Sequence, residues 1–270
     1  MGSITISRGS YSYGKEIAEK VAARLNYECV GRDALLDASE TFNIPEIKLV
    51  EAIHDAPSIL GRFTYGKERY ISYIQAALLN KMQKDNIVYH GLAGHFFMKN
   101  ISHVLKVRII ADLEDRIANK MKREGRLSRE AAQRLLKKDD EERIKWSQYL
   151  YGIDTRDSSL YDLVLHIKIL TVEDAVDIIC NTARLEHFQT TPESQQAMKD
   201  LVTAASVKAA LVPFVPDVNV SCSQGNVQVS FHDRKYSKDS MTGEIEKITR
   251  TIKGVEKIEI RVHSISDYGG

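Results

Sequence analysis

Ile17, Val21 and Leu25 stand four residues apart in "KEIAEKVAARL", which places them on one face of a helix. A β-branched run at residues 3–7 precedes that helix, so the chain opens as strand, loop and helix. Residues 33–84 read as largely helical, most clearly in "NIPEIKLVEAI" and "ERYISYIQAALLNKM", with the turn-rich "HDAPSILGRFTYGK" between them. "NIVYHG" and "HVLKVRIIA" are apolar almost throughout, the pattern of parallel strands covered on both faces. From Asp112 to about Tyr151 the pattern is charged and helical, and "LYDLVLHIKIL" and "TVEDAVDIICNTARL" then predict a strand and a helix. Strands that alternate with helices predict an α/β fold with a doubly wound parallel sheet.

The rhythm changes after the polar connector "EHFQTTPE". Thr191 and Pro192 start a helix that continues through "SQQAMKDLVTAASVKAAL". Alternating strands follow, "VNVSC" and "VQVSF", around the turn residues Gly225 and Asn226. Then come a helix "EIEKITRTIK" stopped by Gly254 and a last strand "KIEIRV". The reading is a first domain over residues 1–185, a linker at 186–196 and a small α/β domain over 197–264. A chain of 270 residues is long enough for two cores.

Composition narrows the function classes. Lys plus Arg total 38 and Asp plus Glu 37, so no global field attracts nucleic acid or an anionic membrane, and any basic site is local. Cys29, Cys180 and Cys222 lie far apart without metal-like spacing, which predicts reduced residues in a cytoplasmic protein and no metal centre. No apolar run approaches a membrane span, and "MGSITI" matches neither a signal peptide nor the myristoylation pattern.

The segment joining the first strand to the first helix carries the candidate chemistry. A glycine-rich turn there binds phosphate because unbonded N–H groups at the helix start converge on one anion, helped by the helix dipole. Gly9, Gly14 and Lys15 satisfy the GxxxxGK spacing, but Glu16 stands where a Ser or Thr hydroxyl would hold magnesium. The candidate cradle runs Arg8, Gly9, Ser10, Tyr11, Ser12, Tyr13, Gly14, Lys15 and Glu16. Further on, Arg116, Lys120 and Arg123 share a helical face, and Arg126 follows them. These charges belong either to a solvated helix laced with ion pairs or to an arginine lid over a phosphoryl group. "LGRFTYGKERY" adds Arg62, Lys67 and Arg69 among tyrosines, either as an amphipathic boundary or as a phosphate and base contact.

Several stretches in order resemble the cytidylate kinase-like family of P-loop proteins: "ITISRGS" with "GKEIAEKVAARL", "VYHGLAGHFF", "HVLKVRIIADLEDRIANKMKREGRLS" and "DDEERIKWSQYLYGIDTRDSSLYDLVLHI". The resemblance implies a nucleoside monophosphate kinase that uses ATP and Mg²⁺, with a helical acceptor insert holding Arg62, Lys67 and Arg69. Its lid would carry Arg116 and Arg123, and Asp140 and Arg143 match a DxxR element in which the carboxylate orients the guanidinium. The chain also departs from the family. Relatives read GSGG where Tyr11 to Gly14 read "YSYG", which sets Lys15 one step past the usual lysine position, and Leu92 replaces an arginine. Tyrosine in left-handed backbone geometry costs roughly 1–2 kcal/mol. The two rings either stack on a base or sugar or shield the helix start.

Residues 197–264 resemble a BON domain, which implies a regulatory, sensing or assembly role through a protein partner or a second copy of the chain rather than membrane attachment. Two functions stay open: phosphoryl transfer to a monophosphate of the CMP or dCMP kind, or nucleotide sensing without turnover.

Overall fold

The computed structural model describes residues 2–31, 33–45, 66–91, 94–233 and 238–264. It divides into two compact units: one holds the described residues up to Ala34 and from Lys84 to Thr191, the other those from Leu35 to Gln83 and from Pro192 onward.

The first unit is an α/β layer built on five strands: β1 (Ser3–Arg8), β2 (Glu28–Val30), β3 (Ile87–Tyr89), β4 (Val104–Ala111) and β5 (Leu163–Ile167). They form a parallel sheet in the order β2-β3-β1-β4-β5. The helix α1 (Gly14–Leu25) follows β1, as the apolar spacing predicts, and buries Ile17, Ala18 and Val21 on the sheet. Ile4, Ile6, Val107 and Ile109 meet that face from below. Ala175, Val176, Ile179 and Cys180 of a helix further along the chain, at Val172–Ala183, complete the layer. The helix α2 (Asp33–Phe42) starts beyond β2 and belongs from Leu35 onward to the second unit.

Alternation in β1 sends Ser3, Thr5 and Ser7 to the opposite face, where all three are buried. That face is polar at the C-terminal end of β1, because Ser7 pairs in register with Arg108 of β4. The three-residue β2 is not evident from the sequence, since "ECV" is too short to show a period.

In the second unit α3 (Gly66–Met82) buries Ile71, Ile74, Leu78 and Leu79, and its Asn80 amide donates to Ser206 at 3.3 Å. Ser206 lies on the long helix Pro192–Leu211, which begins at proline as expected. A three-stranded sheet packs Val227, Val229 and Phe231 on Val207 and Leu211 of that helix. The hairpin turn falls at Gln224 and Gly225, both with positive φ (49° and 75°), while Asn226 opens the next strand. The turn is therefore one residue earlier than expected, because the Asp200 carboxylate accepts from the N–H groups of Gln224 (2.8 Å) and Gly225 (3.1 Å) and fixes it there. The helix expected in "NIPEIKLVEAI" and the turn-rich stretch after it lie largely outside the described residues.

Ile17 is fully buried against the sheet, whereas Leu185 is 51 % exposed. Ile17→Ala is expected to lower the unfolding free energy in urea by about 2–5 kcal/mol. Leu185→Ala should lower it by under about 0.5 kcal/mol.

Candidate phosphate-binding site

The cradle opens where β1 ends at Arg8. Tyr11 and Tyr13 both take left-handed backbone geometry, with φ of 60° and 66°, so the chain adopts the loop shape that glycine usually supplies. Gly9 and Gly14 do not have positive φ; their use is proximity. A Cβ on Gly14 would stand 2.5 Å from Cδ of Arg8, and one on Gly9 would stand 3.4 Å from Cζ of Arg116. Among the described residues, none of the backbone N–H groups from Ser10 to Glu16 is hydrogen-bonded, and Tyr13 makes no side-chain cap. The start of α1 thus presents a run of free donors with the positive end of the helix dipole behind them. The Ser12 hydroxyl donates to the Gly9 carbonyl at 2.9 Å and braces the turn from within.

Two helices clasp this loop, α5 (Leu113–Glu124) and α6 (Arg129–Tyr151), after the one-turn α4 (Gly94–Phe97). The α5 helix ends at Gly125 with φ of 67°, and α6 is capped by Ser128, whose hydroxyl accepts from the Ala131 N–H at 3.2 Å. Ile117, Ala132 and Leu136 form a small core between them, and the Tyr11 side chain packs on it. Lys120 Nζ sits 4.6 Å from the Tyr11 ring centroid, and the Tyr11 hydroxyl donates to Glu124. The Asn119 amide donates to the Tyr11 carbonyl at 2.9 Å. Tyr11 therefore anchors the loop to α5, a role that neither base stacking nor shielding of the helix start describes. Tyr13 packs on the sheet core instead.

The nominated cations divide into two groups. Arg116 is buried, donates from Nε to the Ser10 carbonyl at 2.8 Å, and makes a bidentate pair with Asp140 at 2.8 Å for each bond. Lys120 is paired with Glu124 at 2.6 Å. By contrast Arg8, Arg123 and Arg143 form no ion pair among the described residues. Arg143 donates from one guanidinium nitrogen to the Arg8 carbonyl at 2.8 Å. Asp140 thus hydrogen-bonds Arg116 rather than the Arg143 one turn away. The Ser10 hydroxyl donates to the neighbouring Asp139 at 3.1 Å.

Burial lowers the Arg8 pKa to about 10, with Arg143 and Arg123 adding to the fall, so it stays cationic at neutral pH. Its Nε is buried without a hydrogen-bond partner. Burial also lowers the pKa of Arg143, with Arg116 and Arg108 pushing the same way and Asp139 and Asp140 opposing.

Lys15 lies on the outer face of α1, 54 % exposed and 3.6 Å from Glu19, and Glu16 pairs with Lys20 at 3.4 Å. Arg69 is turned along α3, where it donates to the Tyr73 hydroxyl at 2.7 Å with its guanidinium 5.7 Å from that ring's centroid. Arg62 and Leu92 lie outside the described residues, and of Lys67 only its place in the first turn of α3 is described.

Sequence reasoning missed a polar cluster under the cradle. The Tyr161 hydroxyl lies 3.1 Å from His95 Nε2, 3.2 Å from an Arg108 guanidinium nitrogen and 3.3 Å from the Ser7 hydroxyl, and donates to the Thr155 carbonyl at 2.9 Å. The signal available was the arginine set into the apolar strand "KVRII". His95 is 4 % exposed, and burial pushes its pKa down to about 3, with Arg108 contributing.

A neutral His95 therefore contributes its stability in full above the ordinary histidine pKa near 6.5 and loses it as the pH falls toward about 3. The wild type is expected to lose roughly 2 kcal/mol more unfolding free energy than His95→Gln between pH 7 and about pH 5. Urea denaturation of both proteins at each pH measures the difference.

Residues 3–169 match the profile of the Cytidylate kinase-like family. A cytidylate kinase of Sulfolobus acidocaldarius is 26% identical over 177 residues, covering 65% of this chain and 91% of that protein. A cytidylate kinase of Archaeoglobus fulgidus is 31% identical over 123 residues, covering 45% of this chain and 65% of its own length. The crystal structure of an uncharacterized protein from Eubacterium ventriosum superposes with a TM-score of 0.51 at 21% identity, covering 68% of this chain and 98% of that one, a likeness of fold. With the profile match spanning more than half of the sequence, the chain belongs to the cytidylate kinase-like family.

Proposed function

We propose that the protein transfers the γ-phosphoryl group of ATP to a nucleoside monophosphate, with CMP and dCMP the first candidates. The observation that carries this reading is the pairing of free N–H groups at the start of α1 with Arg8, Arg123 and Arg143, which form no ion pair among the described residues. Phosphoryl transfer asks for such positioned positive charge, because the charge of the transition state spreads over the equatorial oxygens. In this scheme the loop donors hold the β- and γ-phosphates, and Arg143 and Arg123 stabilise the transferring group. Arg116 and Asp140 keep the lid on the loop. The names of the two curated relatives support a cytidine acceptor.

The residues present fit a triphosphate, but the helix start lacks the motif's hydroxyl ligand for magnesium: Glu16 occupies that position and is engaged by Lys20. Magnesium would arrive with the nucleotide, and no protein ligand is assigned to it. A second reading, nucleotide sensing without turnover through the BON-like residues 197–264, draws its support from the clasped Tyr11, which ties the loop to α5. In that reading the C-terminal residues would meet a protein partner or a second copy of the chain.

A coupled ADP-release assay across CMP, dCMP, UMP, AMP and GMP tests the first reading, and ATP binding with no turnover on any of them favours the second. Arg143→Ala is expected to lower kcat roughly 10²- to 10³-fold, the loss that follows removal of one preorganised transition-state donor. Lys15→Ala should change ATP affinity by no more than about fivefold, as suits an exposed pair. A loss of ATP binding in that variant would return Lys15 to the phosphates.

A further inference from the structure

Arg108 has no place in the roles assigned so far, yet it is tightly held. It stands on β4 in register with Ser7, and one of its guanidinium nitrogens lies 3.2 Å from the Tyr161 hydroxyl and 3.5 Å from the Ser7 hydroxyl. Its guanidinium carbon is 5.5 Å from the centroid of the Tyr161 ring. Tyr161 is itself fixed by the Thr155 carbonyl and by His95. All of these contacts are to neutral groups: among the described residues Arg108 forms no ion pair.

Three guanidinium groups therefore gather at the C-terminal end of β1. Arg8 is its last residue, Arg143 bonds the Arg8 carbonyl, and Arg108 reaches the hydroxyl of Ser7. Like charges in a half-buried place repel one another and lose hydration, and an anion that accepts from several of them offsets both costs. The contrast with Arg116 is instructive, since that buried guanidinium has its own carboxylate in Asp140. The loop donors, Arg116, Arg123 and Arg143 are carried by the loop and by α1, α5 and α6. Arg108 comes from the sheet itself, on the face that also carries Ser7, His95 and Tyr161.

We infer that Arg108, held by the Tyr161 hydroxyl and Ser7, is an anion-recognition residue that takes the phosphate of the acceptor. This rests on the phosphotransfer reading above and adds to it a second, sheet-borne contact distinct from the cradle. Tyr161 is a positioning residue: it orients Arg108 without meeting the ligand.

The test compares wild type, Arg108→Gln, Arg108→Lys and Tyr161→Phe in steady-state kinetics with the monophosphate panel, beside calorimetric titration with CMP and with ATP. Arg108→Gln should raise KM for the monophosphate about 10- to 100-fold, the span expected for a hydrogen bond to a charged group, while KM for ATP stays within about twofold. Arg108→Lys keeps the charge without the fork and should fall between the two. Tyr161→Phe should raise the same KM by a smaller factor. If both Arg108 variants turn over CMP or another monophosphate with unchanged KM, the inference is overturned while the phosphotransfer reading stands. If the wild type shows no turnover but binds CMP, and Arg108→Gln weakens that binding and not the binding of ATP, the phosphotransfer reading fails and the anion site survives. Equal loss toward ATP and CMP, or a wild type that binds no monophosphate, overturns it.

Discussion

Arg116 is a buried cation, and the geometry around the cradle follows from how its charge is satisfied. A guanidinium withdrawn from water needs a counter-charge and acceptors for its donors. Asp140 supplies both oxygens from α6, and the Ser10 carbonyl supplies a third acceptor from the loop. One side chain on α5 thereby ties together α5, α6 and the loop after β1. With those three elements held, Asn119 reaches the Tyr11 carbonyl, Asp139 reaches the Ser10 hydroxyl, and Arg143 reaches the Arg8 carbonyl. The left-handed turns at Tyr11 and Tyr13 are sustained by this framework. Each is locally unfavourable, and each tyrosine ring has a packed neighbour that offsets the cost.

The same pairing divides the cations around the loop into two groups. Arg116 and Lys120 have carboxylates and tie α5 to the loop; among the described residues Arg8, Arg108, Arg123 and Arg143 form no ion pair. Arg8, Arg108 and Arg143 are half-buried and Arg123 is exposed; half-buried charges without an ion pair are costly, and such groups concentrate at functional sites. The free N–H groups at the start of α1 face the same requirement from the backbone side.

Much of the fold was legible in the sequence. The period of four in Ile17, Val21 and Leu25 marked α1, and the apolar runs marked β3 and β4, because burial on two faces leaves a signal that needs no knowledge of neighbours; β5 was marked by its apolar residues although Val164 and His166 are exposed. The charged helices were legible as helices, and Asp140 and Arg143 as a pair worth attention. Their pairing was not legible. Spacing along one helix suggested that Asp140 serves Arg143, but Arg116 is 24 residues away in sequence and nearer in space. The hairpin turn shifted by one residue for the same reason, since Asp200, from a preceding helix, accepts from Gln224 and Gly225. Which unit α3 joins was also beyond a linear reading, because its apolar face is compatible with any apolar partner.

By itself the sequence determined the order of strands and helices, the position of the cradle between β1 and α1, and its departure from glycine at Tyr11 and Tyr13. These are local properties: periodicity, β-branching and the free donors of a helix start act within a few residues. Only the tertiary structure decided which charges are cancelled and which stay open. That outcome depends on carboxylates and carbonyls brought within hydrogen-bond distance by packing of elements distant in the chain, as Ser10 and Asp139 are across 129 residues. A side chain's charge is written in the sequence, whereas its compensation is a distance, and distances of that kind exist only once the sheet and the lid helices have assembled.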